Sequence, residues 1–146
     1  HALDLGAGQA VPFFGTSYTR LYASTNGFVA FDARTPSWWT GVSARVHYQT
    51  ARISPLFNDF YPKEYRHMTY LLLEDRITIT WSEAPRYHNW GQSTFQATMF
   101  FDGRISLAYG DISARYGLVG ISAGRGEPAG GGLSTDWSRI VGCRGE

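Results

Sequence analysis

At 146 residues the chain is long enough to bury roughly two-thirds of its unfolded surface, so one domain spanning 1–146 needs no disulfide. A net charge of +1 and a pI near 8.1 supply no field for nucleic acid or an anionic membrane, and the bias of twelve Arg against one Lys, Lys63, does not change that. No apolar run approaches the ~20 residues of a bilayer-crossing helix, which argues against membrane insertion, and Cys143, standing alone, has no internal partner.

In chain order, the first hairpin signal is residues 18–25, then Asn26-Gly27, then Phe28-Val29-Ala30-Phe31. Asn-Gly between β-rich runs is the strongest short cue for a hairpin. Residues 32–41 read as a connection carrying Pro36, Trp38 and Trp39, and residues 54–67 as a second one with Pro55, Pro62 and several aromatics. A second hairpin runs from 69–73 through Glu74-Asp75 into 76–81, with Ile77, Ile79 and Trp81 on one face and Arg76, Thr78 and Thr80 on the other. Residues 82–92 form a polar-aromatic connection.

The clearest hairpin is 94–110. Phe95, Ala97, Met99 and Phe101 alternate with polar partners, Asp102-Gly103 follows, and Ile105, Leu107 and Tyr109 alternate again. Asp-Gly suits a two-residue type I′ turn, in which both central residues need positive φ. Residues 118–123 supply another short strand with Val119 and Ile121 inward, 124–132 is a glycine-dense mobile loop, and 138–146 is a tail. Period-two alternation, closely spaced turns and no convincing 3.6-residue apolar period predict an all-β fold. The expected architecture is an antiparallel β-sandwich of two packed sheets built from hairpins.

Two groups of residues are candidates for a site. Asn58, Asp59, Glu64 and His67 fall within ten residues of a turn-rich segment. Carboxylate, amide and carbonyl oxygens on such a loop are what Ca²⁺ takes as ligands. The competing role for Asn58 and Asp59 is to bond nearby backbone N–H groups and pin the loop. Trp38, Trp39, Tyr87, His88, Asn89 and Trp90 lie in connections rather than in alternating strands. Indole and phenol planes stack on the apolar C–H faces of sugar rings, while imidazole and amide groups fix the hydroxyls. Their competing role is to cap the ends of the sandwich, since Trp is mostly buried on average.

Catalytic motifs are sparse. The one G-x-S-x-G match, Gly120-Ile121-Ser122-Ala123-Gly124, falls in the strand read at 118–123 rather than at a strand-to-helix elbow, and Cys143 lies by the tail. Glu83 with Asp59 or Asp111 is the pairing open to a carboxylate-dependent glycoside hydrolase. A chain opening on His1 without Met reads as a processed or excised piece, and an N-terminal His with a second His resembles the copper site of the lytic polysaccharide monooxygenases in that one feature. Either route would make the chain a carbohydrate-active enzyme.

Several short segments, in order, carry a wider resemblance. They are Pro12-Phe13-Phe14-Gly15 with Tyr18, Ser24-Thr25-Asn26-Gly27-Phe28, and Ile53-Ser54-Pro55-Leu56-Phe57-Asn58-Asp59-Phe60. Ile79-Thr80-Trp81, Thr94-Phe95-Gln96, Asp102-Gly103-Arg104-Ile105, Tyr109-Gly110-Asp111 and Val119-Gly120-Ile121-Ser122 continue the series. Together, over a core of about 11–124, they resemble the extracellular nidogen-like (NIDO) domain and its bacterial relatives in multidomain secreted proteins. One departure is Asn58-Asp59, where such domains carry two acidic residues. The resemblance implies a non-catalytic module, extracellular or on the cell surface, used in adhesion. The residues themselves lead to the expectation of a glycan or an extracellular protein surface as partner, together with the flanking domains of a parent protein, and of no cofactor beyond Ca²⁺.

Overall fold

The computed structural model describes residues 1–33, 41–61, 67–89 and 91–129. Its strands are β1 (Ala2–Asp4), β2 (Val11–Phe13), β3 (Thr16–Tyr18), β4 (Arg20–Ser24), β5 (Phe28–Ala30), β6 (Ala51–Phe57), β7 (Met68–Leu72), β8 (Arg76–Pro85), β9 (Gln92–Phe100), β10 (Ile105–Ile112) and β11 (Leu118–Ala123). A short helix, α1 (Ala44–Tyr48), precedes β6. One sheet has the order β1-β4-β5-β6-β11, the other β10-β9-β8-β7, and β2-β3 is a separate hairpin. All pairings are antiparallel, and the two sheets pack as the expected β-sandwich. β1 places Leu3 in the core, so the sandwich begins ahead of residue 11.

The core follows from alternation. Ile77, Ile79 and Trp81 on β8 and Phe95, Ala97 and Met99 on β9 meet Leu21, Ala23, Val29 and Ile53 of the opposite sheet. Trp81 is the centrepiece. Its ring stacks on Phe95 at 5.0 Å, and its indole N–H donates to the Ser24 carbonyl at 2.9 Å, so its one polar atom is satisfied inside the core. Val119 and Ile121 are exposed because β11 is an edge strand, although Ile121 pairs with the buried Ile53.

Turn geometry sets the register, and it departs from the sequence expectation. Phe100–Arg104 closes through a three-residue loop, with the Gly103 N–H bonded to the Phe100 carbonyl at 3.0 Å and Gly103 at φ 95°. This is a type I turn with a glycine bulge rather than the type I′ turn expected at Asp102-Gly103. Side-chain faces explain the choice. A two-residue loop would set Met99 opposite Ser106, whereas the observed loop sets Met99 opposite Ile105 and Ala97 opposite Leu107, so the two apolar faces coincide. Gly27, at φ 74°, closes the β4–β5 loop in the same way. A pair of positive φ values does occur at Phe14 (46°) and Gly15 (81°), between β2 and β3.

Three segments differ from their expected class. Residues 54–57 belong to β6 rather than to a connection. β6 is buried on both faces, so it shows no alternation, and Pro55 is tolerated beside the irregularity between Leu118 and Gly120 of β11. Residues 82–85 continue β8 past a register shift, with Glu83 at φ 48°. The five-residue helix α1 is too short to show a period. Its cap is nevertheless readable, since the Ser43 hydroxyl accepts from the Val46 N–H at 3.2 Å.

α1 covers the outer face of the five-stranded sheet, where Phe28, Ala30 and Phe57 form a second small core with Val42, Val46 and Leu118 around it. Polar groups share that layer. The His47 Nδ1 lies 3.0 Å from the Ser54 hydroxyl, and the Arg52 guanidinium lies 4.5 Å over the Phe28 ring while donating to the Thr50 hydroxyl at 2.8 Å. Burial holds His47 down to about 4, with Arg52 adding to the effect and a backbone bond at Ile121 opposing it.

Candidate ligand-binding rim

Where β6 ends, the chain folds onto the end of β8. The Asn58 N–H bonds the Asn26 carbonyl at 3.2 Å, the Asn58 amide donates to the Tyr116 carbonyl, and its oxygen accepts from the Asp59 N–H at 2.7 Å. The Asn26 side chain accepts from the Phe60 N–H at 3.1 Å. Phe60 bridges Arg86, the Tyr61 N–H bonds the Pro85 carbonyl at 2.9 Å, and the Tyr87 N–H bonds the Asp59 carbonyl at 3.0 Å. These bonds zip two connections into one rigid rim.

The rim presents rings to solvent. Tyr61 is 57% exposed and Tyr87 47%, and their rings meet edge-on at 5.6 Å. His88 lies 4.2 Å from Tyr87 and takes φ 65°, in the left-handed region that His enters more readily than most residues, and so turns the chain sharply at this edge. Behind them, the buried Arg86 holds its guanidinium 4.8 Å over the exposed ring of Tyr116. The Asp59 carboxyl is pushed up by partial burial, with His88 and Arg86 pulling it back toward the charged form. Exposed phenol rings set nearly at right angles, a carboxylate acceptor, an imidazole and a backbone held by hydrogen bonds suit reversible contact with a polyhydroxylated ligand.

The residues expected from sequence fall into two groups, those the structure describes and those outside the described residues. Tyr87 and His88 come together on the rim, and Asn89 ends the same 3-10 turn (Tyr87–Asn89). Trp38, Trp39, Trp90 and Glu64 lie outside the described residues, as does Cys143. Asn58 is fully buried and both ends of its amide bond backbone, the loop-pinning role, so a cation there would draw on Asp59 and carbonyl oxygens instead. His67 is half-buried, with its Nδ1 3.0 Å from the Ser82 carbonyl. Among the described residues, no three His, Cys, Asp or Glu gather at metal-binding spacing. The terminal ammonium of His1 donates to the Ala23 carbonyl at 2.7 Å, beside the β1–β4 pairing. Tyr61, Arg86 and Tyr116 were not anticipated. The run of tyrosines flanking the turn residues was the available signal, and only the fold brings it together.

Residues 4–135 match the family described as NIDO related. The chain belongs to the NIDO-related family. The family is of the extracellular, binding type. No solved structure matches it significantly, and among the described residues no helix is long and apolar enough to cross a membrane.

The NIDO-related chain also holds a larger concavity away from the rim. An open cleft of about 900 Å³ is walled by β3 and β4, the end of β5, the turn between α1 and β6, and the end of β11. The rim carries exposed rings, of which Tyr87 and His88 were expected from sequence, while this cleft carries the volume.

Proposed function

We propose that this NIDO-related chain is a non-catalytic adhesion or binding module of a larger secreted or surface protein, and that its aromatic rim contacts glycan. The observation that carries the reading is the exposed Tyr61–Tyr87–His88 array, fixed by backbone hydrogen bonds before any ligand arrives. A preorganised platform loses little conformational entropy on binding. A single module of this sort binds weakly, in the millimolar to micromolar range, and gains strength from repetition in its parent protein. Glycan-array screening followed by titration tests the reading. Binding to at least one glycan class at millimolar concentration, insensitive to substitution of Glu83, is expected. Hydrolysis or oxidation of a bound glycan would overturn the non-catalytic part, and absence of any glycan binding would overturn the rest.

A further inference from the structure

We propose that the molecule carries a second saccharide site, in the cleft at the opposite end of β6 from the rim. The site is independent of the rim: β6 starts at the cleft with Ala51 and finishes at Phe57, one residue before the Asn58 bend. At ~3.3 Å per residue that strand holds the two sites about 20 Å apart.

The walls of the cleft are built rather than incidental. Phe31 stacks on Phe13 at 4.2 Å and leans on Tyr18 at 4.7 Å, which fixes the ring of Tyr18 at the cleft wall. The Phe31 N–H bonds the Ala51 carbonyl at 3.0 Å, and the Gly126 N–H bonds the Tyr48 carbonyl at 3.0 Å, tying the end of β11 to the α1–β6 turn. Gly124, at φ 76°, lets those backbones approach so closely that a Cβ there would stand 2.3 Å from the Ala51 nitrogen.

The chemistry of the lining selects a neutral polyhydroxylated ligand. Tyr18 and Tyr22, both half-buried, supply ring faces and hydroxyls. Arg20 lines the cleft, but Asp4 takes its guanidinium through two bonds of 2.5 and 2.9 Å, so its charge is balanced. With Asp32 also on the wall, the cleft gives an anion no net attraction. Thr50 is backed by the buried Arg52. Because the guanidinium donates to the Thr50 oxygen, the Thr50 hydroxyl meets a ligand with its own O–H as the donor. Gln49 is exposed beside it and offers both a donor and an acceptor. Hydroxyl and amide donors and acceptors beside two tyrosines match a sugar better than an apolar peptide or a phosphate. Two such ends on one rigid strand would let a single module bridge two glycan chains.

The test is residue-resolved NMR titration of the whole chain with three separate probes at millimolar concentration: maltohexaose, cellohexaose and hexa-N-acetylchitohexaose. At least one probe is expected to shift the amides of Thr19, Tyr22, Gln49, Thr50 and Gly124. Tyr22→Ala should weaken that set of shifts about tenfold. Because Tyr22 also packs near the second core, the exposed Gln49→Ala, expected to weaken binding severalfold with an unchanged melting temperature, is the fold-neutral control. Shifts confined to Tyr61, Tyr87 and His88 would overturn the second site and leave the rim reading standing. Shifts confined to the cleft would do the reverse. No shift at the cleft with any probe, or cleft shifts unchanged in both variants, would overturn the proposal.

Discussion

The two sheets of this sandwich solve the same problem in different ways. The four-stranded sheet buries one face only. Ile77, Ile79, Trp81, Phe95, Ala97 and Met99 go inward, while the outer face carries paired hydroxyls such as Thr78 and Thr98, 2.9 Å apart. The five-stranded sheet is covered on both faces where α1 lies over it, and it admits a buried histidine and a buried arginine into its outer layer. A half-wet sheet announces itself by alternation, whereas a doubly covered one does not. The first sheet draws its stability from apolar burial and from hydrogen bonds between neutral groups. The second has made part of its stability conditional on protonation state.

The largest test of that contrast is Trp81→Ala. Removing a fully buried indole, its stack on Phe95 and its bond to Ser24 should cost about 3–5 kcal/mol in urea unfolding, with little dependence on pH. The second sheet should respond to acid instead. His47 sits at about 4 in the folded chain against 6.5 in the unfolded one, so the unfolded chain takes up its proton first. Stability from this group is fully present above pH 6.5 and drains away as the pH falls toward 4. The loss reaches about 3 kcal/mol, read by thermal melts across that window. His47→Gln should flatten the profile, and an unchanged slope in that variant would remove His47 as the cause.

The two three-residue turns sharpen the comparison further, because the local geometry is the same and the surroundings differ. A Cβ on Gly27 would stand 2.0 Å from the Leu56 carbonyl oxygen, against backbone that cannot yield, whereas one on Gly103 would meet only Pro12 at 3.5 Å. Gly103→Ala should therefore cost about 1 kcal/mol, from positive φ alone. Gly27→Ala should cost at least about 2 kcal/mol more by denaturant titration. The smallest effect has the opposite sign. Phe14, exposed and at φ 46°, occupies a type I′ position that Asn tolerates better, so Phe14→Asn should raise stability by about 0.5–1 kcal/mol.

How far the sequence could be read follows the same division. β8, β9 and the start of β10 were legible because they alternate, and Met99 is fully buried with Ile105 packed against the same core, whereas β7, with Thr69, Tyr70 and Leu71 all exposed, was legible only through its turn into β8. β6 was hidden because both of its faces are covered and Pro55 argues against a strand, and α1 because five residues give no period. The turn type at Asp102-Gly103 was misread because dipeptide preference is local, whereas the coincidence of two apolar faces is a property of the pair of strands. On the rim, Tyr87 and His88 could be singled out as loop aromatics. Their meeting with Tyr61, Asp59 and Arg86 depends on backbone bonds between segments about 25 residues apart, which no short motif encodes.

The most direct measurement is the affinity of the intact chain for its best array glycan, compared with that of Tyr61→Ala, Tyr87→Ala and the double variant. Each single change is expected to weaken binding about tenfold, with the double variant abolishing rim binding and all melting temperatures near that of the unaltered chain. Unchanged affinity in the correctly folded double variant would contradict a binding role for the aromatic rim.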